Sequence, residues 1–284
     1  MGLIGHSEKV VFNGAIGAAA RFIRASGRQV FSDPETARPA RLKAKLCDGP
    51  LALARAVDLL IVFGGDGTML RTARAIAGSR TPMLGINIGG LGFLTAVSSS
   101  GLPRALKHVW AGEFKFERRA LIEATVRCEG RFVRETALND IVISRGVVSR
   151  LIELDVAVDG APLTRYRCDG LIVSSPTGST AYSLAAGGAV VAPTAEVFAL
   201  TPICPHTLSN RSVIVPLTSA IRVRAISPKP STILSADGQL VTELAASDVV
   251  IVRRSRRTVR LMRLPGSSFF EALRQKLNWR GANV

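Results

Sequence analysis

The length of 284 residues fits one large globular domain or two smaller ones. With 47% hydrophobic and 20% charged residues, the composition excludes an intrinsically disordered protein. Its formal net charge of +16 predicts anionic partners such as nucleotides, polyphosphate, nucleic acid or acidic membrane surfaces, although 5% aromatic residues is few for stacking on single-stranded nucleic acid. Four separated cysteines without a C-x-x-C pair argue against zinc and redox motifs, and the lack of a signal peptide or membrane segment predicts a cytoplasmic protein.

The first 50 residues carry few clear signals. Either Leu3-Ile4 or Val10 to Phe12 is expected to begin a first strand, and Ala15 to Arg24 has a helical pattern. Ser32 to Glu35, which contains a proline and precedes a basic run, is typical of a surface loop.

The most informative stretch starts with the apolar run Leu59 to Phe63, which predicts a buried strand. Gly64-Gly65-Asp66-Gly67 follows as a turn, and Thr68 opens a helical pattern that runs from Met69 to Ile76. Ligands of α/β folds bind outside the carboxyl ends of strands, and the N–H groups of such a turn suit a phosphate. Within it, Asp66 could hold a divalent cation or accept a proton from a hydroxyl that attacks a phosphate. The alternative is that Asp66 only caps the helix.

A second apolar strand, Met83 to Ile88, also ends in glycines, over Gly89 to Leu94. Two such strands joined by a helix predict a βαβ unit with both glycine-rich loops at one sheet edge. The dinucleotide fingerprint G-x-G-x-x-G and the P-loop pattern are both absent. With a helix over Leu102 to Trp110, these elements predict an α/β, Rossmann-like N-terminal domain over residues 1–115.

Beyond Arg118 the pattern changes to short strands. The predicted strands are Leu121 to Val126, Thr136 to Ser144, Leu151 to Val158, Ser212 to Val215, Ile221 to Ala225, Thr232 to Ser235, Val249 to Val252 and Thr258 to Met262. They predict a mostly-β C-terminal domain over residues 116–264. An amphipathic helix over Ser268 to Leu277, within residues 265–284, is expected to pack back on the body of the protein.

A second cluster of Gly, Ser and Thr runs from Asp169 to Gly188, where a strand enters a Pro-Thr-Gly-Ser-Thr loop and a helix leaves it. Hydroxyl and N–H groups at a helix start can bind ribose, an adenine edge or phosphate. The alternative is that Ser179 or Thr180 only caps the helix and that Tyr182 belongs to the core.

These motifs together resemble those of the NAD kinase family, in order and spacing from about residue 55 to the C-terminus. The matching motifs are Gly64 to Thr68, Asn87 to Leu94, Leu138-Asn139-Asp140, Asp169 to Gly188, Pro205 to Leu208 and Asp237-Gly238-Gln239. Diacylglycerol kinases, sphingosine kinases and phosphofructokinases share the Gly-Gly-Asp-Gly turn alone, whereas the Pro-Thr-Gly-Ser-Thr-Ala-Tyr loop is more specific. The first 50 residues match the family poorly.

The resemblance implies transfer of the terminal phosphate of ATP or polyphosphate to the 2′-hydroxyl of the adenosine ribose of NAD, with Asp66 as the general base. It implies a divalent cation, with Mg²⁺ as the expected ion, to neutralise charge on the phosphates. The implied binding residues are Gly67, Phe93, Asn139, Asp140, Arg150, Arg167, Asp169, Thr180, Ala181, Tyr182, Ser183, Leu184, Ala185, Asp237 and Gln239.

The resemblance also implies particular roles and an assembly. Asn139 and Asp140 would hold adenine and the ribose hydroxyls, Asp237 could assist Asp66, and Asp169 would be supplied across a subunit interface. A homodimer or homotetramer is expected, without nucleic acid or a membrane as partner. The alternatives are a lipid kinase that shares the glycine turn and a non-catalytic dinucleotide sensor, which would give Asp66 no role.

Overall fold

The computed structural model describes residues 1–5, 10–90, 92–95, 97–128, 130–146, 150–206, 211–226 and 232–279, with only the backbone described for residues 10–13. Leu91, Thr207 and Leu208 of the family motifs therefore lie outside the described residues. The chain forms two compact units: unit 1 contains residues 1–118 and 258–284, and unit 2 contains residues 119–257.

Unit 1 alternates helices with short strands. In chain order these are β1 (Gly2–Gly5), α1 (Val10–Ala25), β2 (Phe31–Ser32), α2 (Pro34–Ala37), β3 (Lys45–Leu46), α3 (Gly49–Ala56), β4 (Leu60–Phe63), α4 (Asp66–Ala75), β5 (Met83–Asn87), β6 (Val97–Ser98) and α5 (Leu102–Trp110).

The strands of this unit form a parallel sheet in the order β3-β2-β1-β4-β5. Strand β4 is buried along its whole length, as its continuous apolar run predicts for a parallel strand covered on both faces. The strand order reverses between β1 and β4, and open α/β sheets bind ligands at such a switch point. Because the turn after β4 carries Asp66, this topology places Asp66 beside the switch point.

The structure answers two questions about the N-terminal region: where the first strand lies, and whether residues 32–35 form a surface loop. The first strand is β1, which includes Leu3-Ile4, whereas residues 10–12 lie in helix α1. The predicted surface loop over Ser32 to Glu35 is wrong. Ser32 is buried and donates its hydroxyl to the Leu3 carbonyl, and buried Asp33 caps α2 by accepting from the Thr36 N–H.

Unit 2 is built almost entirely from strands. The elements that follow α5 are β7 (Lys115–Cys128), β8 (Arg131–Ala137), β9 (Asp140–Arg145), β10 (Ile152–Val158), β11 (Ala161–Cys168), β12 (Gly170–Ser174), a 3-10 turn (Thr177–Thr180), α6 (Tyr182–Ala185), β13 (Val197–Ile203), β14 (Val213–Pro216), β15 (Ile221–Ala225), β16 (Thr232–Ala236), β17 (Gln239–Leu244) and β18 (Val249–Arg263). One antiparallel sheet has the order β14-β13-β12-β9-β16-β17, and a second contains β11-β10-β15-β18. The mostly-β prediction for this part of the chain is confirmed.

Two predicted strand boundaries in unit 2 are wrong. The predicted strand Thr136 to Ser144 is interrupted at Leu138-Asn139, because the N–H groups of these residues bond to a side chain instead of a neighbouring strand. The predicted strands Val249 to Val252 and Thr258 to Met262 are one strand, β18. Its continuity is hidden in the sequence by four arginines, two on each side of buried Ser255.

The predicted C-terminal helix is present as α7 (Phe269–Lys276). The hydroxyl of Ser268 caps it by accepting from the Glu271 N–H at 3.0 Å. Leu273 is buried and the Phe269 ring lies 6.3 Å from the Phe93 ring, so the helix packs back on unit 1 as expected. Within the described residues, no helix is long and apolar enough to cross a bilayer.

Candidate active site

The carboxylate of Asp66 joins the two glycine-rich loops of unit 1. Helix α4 begins at Asp66 with Gly65 as its N-cap, two residues earlier than the pattern predicts, and no side chain caps it. Instead the Asp66 Oδ2 atom accepts from the Phe93 N–H at 2.9 Å, and Oδ1 accepts from the Leu94 N–H at 3.0 Å. The helix-cap alternative for Asp66 is therefore wrong.

This arrangement requires a glycine at position 92. A Cβ atom there would overlap both the Asp66 carboxylate and the Thr95 hydroxyl. Arg263, which is distant in sequence, also contacts this loop. Its guanidinium donates to the Phe93 carbonyl at 3.4 Å and to the Glu117 carboxylate at 3.0 Å. This role of Arg263 could not be predicted from the sequence, because no local pattern indicates it.

The turn itself has the features of an anion site. Gly65 and Gly67 are exposed. The first N–H groups of a helix have no acceptor within that helix, and the positive end of its dipole favours negative charge. The start of α4 can thus receive a phosphate group beside the Asp66 carboxylate.

In unit 2, Asp237 organises the backbone at Asn139-Asp140. Its carboxylate accepts N–H groups from Leu138 at 2.9 Å, Asn139 at 2.7 Å and Asp140 at 3.3 Å. Asp237 lies in the left-handed region, with φ of 49°, and its own N–H donates to the Asp140 carbonyl at 3.0 Å. These bonds fix the backbone that carries both predicted binding side chains.

The Pro-Thr-Gly-Ser-Thr loop packs directly on Asn139. The Ser175 N–H donates to the Asn139 carbonyl at 2.8 Å, and the Ser175 hydroxyl donates to the Leu138 carbonyl while accepting from the Gly178 N–H. A Cβ atom at Gly178 would overlap the Asn139 backbone, so only glycine allows this contact. Ser175 is a further residue of this site that was not among the predicted ones, although a serine before the proline of a loop is a turn signal.

Asn139 carries a buried polar atom without a partner. The residue is 9% exposed, and its side-chain oxygen has no hydrogen-bond partner among the described residues. Such a group carries a desolvation cost that a ligand donor would offset. An amide can pair with both the donor and the acceptor of an adenine edge.

Asp140 is buried next to this amide, with 4% exposure. Burial, together with the negative charge of Asp237, raises the pKa of Asp140 from its ordinary 3.8 to about 7. The carboxyl group of the free protein therefore changes charge near neutral pH.

This shift predicts that Asp140 makes folding stability depend on pH. The folded-state pKa lies above the unfolded one, so the folded protein binds more protons between these two values. The contribution of Asp140 to the free energy of unfolding should fall by on the order of 4 kcal/mol as pH rises from about 4 to about 8. Denaturant titrations of wild type and Asp140→Asn measure this difference. A gap between the two proteins that does not change with pH would contradict the buried carboxyl.

Residues 180–185 continue the loop with varied exposure. Tyr182 is 47% exposed, and Ala185 is exposed. Thr180, Ala181 and Leu184 are partly buried, whereas Ser183 is fully buried with its hydroxyl 3.0 Å from that of Thr201. In this structure the Ser183 side chain therefore packs inside the unit and stabilises the loop through Thr201.

The remaining predicted residues lie on the surface of unit 2. Arg150, Arg167 and Gln239 are exposed. Asp169 forms an ion pair with Arg145, with 2.8 Å between its carboxylate oxygen and the Arg145 Nε atom. The structure thus brings together Asp66, Gly67 and Phe93 in unit 1, and Asn139, Asp140 and Asp237 in unit 2.

A protein-only metal cage is not found among the described residues, which contain no group of three or more His, Cys, Asp or Glu side chains suited to a cation. Both oxygens of Asp66 are bonded to N–H groups.

Two family models match the chain. The ATP-NAD kinase N-terminal domain matches residues 34–114, and the ATP-NAD kinase C-terminal domain matches residues 138–264. An NAD kinase of Symbiobacterium thermophilum is 46% identical over 258 residues, which cover 90% of each chain. An NAD kinase of Moorella thermoacetica is 47% identical over 227 residues, which cover 80% of this chain and 73% of the relative.

Solved structures show the same fold. The yeast NADH kinase complexed with NADH superimposes with a TM-score of 0.90 at 26% identity, covering 100% of this chain and 88% of that one. An NAD kinase from Archaeoglobus fulgidus in complex with ATP has a TM-score of 0.77 at 26% identity, covering 99% of both chains. The family resemblance inferred from the motifs is confirmed: the chain belongs to the NAD kinase family.

Proposed function

We propose that this protein transfers the terminal phosphoryl group of ATP to the 2′-hydroxyl of the adenosine ribose of NAD, which gives NADP. The observation that carries the proposal is the Asp66 carboxylate, held by two N–H groups in a glycine turn at the start of a helix. Support comes from the NAD kinase relatives, from the ATP bound to the Archaeoglobus neighbour and from the NADH bound to the yeast neighbour. Polyphosphate is the second candidate donor.

In the proposed reaction Asp66 is the general base. The ribose oxygen forms a bond to the terminal phosphorus of ATP, the bond from that phosphorus to the bridging oxygen breaks, and ADP leaves. The hydroxyl proton passes to Asp66. Each carboxylate oxygen accepts one N–H in the free protein and retains a lone pair for this proton. The N–H groups of the Gly67 turn receive donor phosphate.

We propose that the predicted residues of unit 2 bind the dinucleotide. The Asn139 amide pairs with the adenine edge, and Asp140 with ribose hydroxyls. Residues 180–185 cover the dinucleotide, mainly through the exposed ring of Tyr182. Arg150, Arg167 and Gln239 contact its phosphates and polar edges, and Phe93 forms an apolar wall. We assign Asp237 to positioning Asn139 and Asp140, rather than to assisting Asp66, because its carboxylate is bonded to their N–H groups.

A divalent cation, with Mg²⁺ as the expected ion, would be held chiefly by the donor phosphates. Mg²⁺ commonly takes one or two carboxylates together with substrate phosphates, which requires no protein cage. The cation would neutralise phosphate charge when bound.

We also propose that the active enzyme is a cytoplasmic homodimer or homotetramer in which Asp169 of one subunit completes the dinucleotide site of another. The ion pair with Arg145 would then hold the Asp169 carboxylate in place for that role. We also propose that the chain divides into an α/β domain over residues 1–115, a mostly-β NAD-binding domain over residues 116–264 and a C-terminal helical segment over residues 265–284.

The net charge of +16 predicts that the anionic donor binds less well in salt. Long-range attraction between exposed charges is screened over about 8 Å at physiological ionic strength. Raising the KCl concentration should therefore increase the KM for ATP several-fold and leave kcat nearly unchanged. Initial rates at fixed saturating NAD measure both constants. A KM for ATP that is independent of salt would remove charge attraction as a contribution to donor binding.

An acceptor assay tests the proposed function against its alternatives. The purified protein is incubated with ATP labelled in its terminal phosphate and with NAD or diacylglycerol in separate reactions. Label transferred to NAD alone supports the proposal, whereas transfer to diacylglycerol identifies a lipid kinase. Binding of NAD without transfer identifies a dinucleotide sensor.

A further inference from the structure

Unit 1 contains a cavity of about 580 Å³ beside the loop that holds the Asp66 carboxylate. Its walls are the loop Gly92–Thr95, helix α5, and the segment from Arg263 into helix α7. The volume falls within the range of about 300–1,000 Å³ typical of small-molecule sites. Of the predicted binding residues only Phe93 borders it, and neither Asp66 nor Gly67 does.

The charges around this cavity favour an anion. Arg263 and His108 both line it, but each is paired with a glutamate. Arg104, in contrast, is exposed at the rim and has no ion-pair partner among the described residues. Lys276 lies outside the lining and adds a second positive charge 5.1 Å from the Phe93 ring. Glu271 is an acid of the lining, and it has no ion-pair partner within the described part of the chain.

The apolar part of the lining favours a planar ring. The Phe93 and Phe269 rings border the cavity, with 6.3 Å between their centroids and 40° between their planes. Such a separation and tilt lets a ligand ring pack on an edge or face of either phenylalanine. Leu264, Ala105 and Ala272 complete the apolar surface.

A buried hydroxyl in the lining points independently to a ligand. Thr95 is fully buried, and its Oγ1 atom has no hydrogen-bond partner among the residues that the structure describes. A hydroxyl without a partner in such a place carries a desolvation cost. A polar ligand atom in the cavity would satisfy it.

We infer that this cavity binds a small aromatic anion. Its anionic group, a carboxylate, sulfonate or phosphate, pairs with Arg104, its ring packs on Phe93 and Phe269, and a polar atom bonds to the Thr95 hydroxyl. The class follows from one unpaired guanidinium, two rings and one unsatisfied hydroxyl around a volume of this size.

Occupancy of the cavity also acts on the proposed general base, a consequence that rests on the proposed function. Gly92 and Phe93 border the cavity, and the Phe93 N–H donates to Asp66. The loop that a ligand would contact is thus the loop that holds the carboxylate. A bound anion should change kcat, and because Phe93 is also the proposed apolar wall for the dinucleotide it should change the KM for NAD as well.

Binding can be measured on the full chain with 1-anilinonaphthalene-8-sulfonate, a fluorescent aromatic monoanion. We expect saturable binding to one site and about tenfold weaker binding to Arg104→Ala, because a charge-assisted hydrogen bond is lost. Lys107→Ala is the matched control, since it removes an equal charge from an exposed position of the same helix outside the cavity. Equal affinities of these two variants would overturn the assignment of Arg104.

Thr95→Val tests the unsatisfied hydroxyl. The valine side chain has nearly the same shape, so the variant should unfold at the same or a higher temperature while its affinity for the probe falls severalfold. A lower unfolding temperature with unchanged affinity would show that the hydroxyl serves the fold and not a ligand.

Filling the cavity locates the site. Ala272→Trp should abolish the fluorescence of the bound probe. Gln275→Trp, at an exposed position of the lining, should weaken that fluorescence. The second variant keeps the test valid if circular dichroism shows that the first one folds poorly. Displacement by indole-3-acetate would identify a carboxylate ligand, and displacement by phenyl phosphate a phosphate. Unchanged fluorescence in both tryptophan variants would overturn the site.

The link to catalysis has its own readout. A change in kcat for NADP formation on saturation with the displacing anion supports the link, and an unchanged kcat overturns the link alone. Should the chain form no NADP, the fluorescence measurements would still decide the binding site, so the two failures are distinguishable.

Discussion

Asp66→Asn is expected to lower kcat for NAD phosphorylation by about 10³-fold, within the range that general-base catalysis contributes, while the dissociation constant for NAD stays within about twofold. The amide keeps the shape of the carboxylate but lacks the charge and basicity that accept the hydroxyl proton. It also places an NH₂ group opposite one of the two N–H donors of Phe93 and Leu94. Part of the loss will therefore come from displacement of the loop.

Asp48→Asn is a suitable control for this experiment. Asp48 is an exposed aspartate at the N-cap of α3, and its side chain makes no capping bond. The variant removes the same charge from the same unit and should leave kcat unchanged. Steady-state rates together with calorimetric titration of NAD separate catalysis from binding. Asp66→Asn turnover within tenfold of wild type would contradict the base role.

Asn139→Leu is expected to raise the KM for NAD by about 10- to 100-fold without loss of folding stability. The leucine has a similar size and removes the buried oxygen, for which the described part of the free protein offers no partner. The free enzyme thus loses no internal hydrogen bond of that oxygen, whereas the complex loses a pair with the adenine edge.

Asn87→Leu provides the opposite case for stability. Asn87 is also buried, but its side chain donates to the Gly90 carbonyl at 2.6 Å and accepts from the Gly89 N–H at 2.7 Å. Its replacement should lower the free energy of unfolding by about 1–3 kcal/mol, because two backbone groups lose their partner. Denaturant unfolding of both variants makes the comparison. A similar loss of stability in Asn139→Leu would show that the Asn139 amide serves the fold.

The elements that fix the proposed chemistry could be predicted because their signals are local. A continuous apolar run, a glycine turn and a helical pattern are contained in residues 59–76, and they place Asp66 correctly at a strand end. The Pro-Thr-Gly-Ser-Thr loop is equally local. Family resemblance then supplied roles that no physical pattern in these segments contains.

The partners of these residues could not be predicted because they are distant in the chain. The N–H groups that hold Asp66 come from residues 27 and 28 positions away, and Asp237 binds backbone groups 97 to 99 positions away. Helix capping is the usual local role of an aspartate after a strand, so the sequence alone could not reject it for Asp66. Arg263 contacts the loop across 170 positions, which only the folded sheet brings together.

The most direct test of the central claim is to identify the product formed from NAD and ATP. The purified chain is incubated with both substrates, and the product is offered to a dehydrogenase that accepts NADP and rejects NAD. The phosphorylated ribose position is then read by phosphorus NMR. We expect ATP-dependent NADP, phosphorylated at the 2′-oxygen, from wild type and almost none from Asp66→Asn. Absence of NADP from the wild-type chain, or a phosphate at another ribose oxygen, would contradict the proposed reaction.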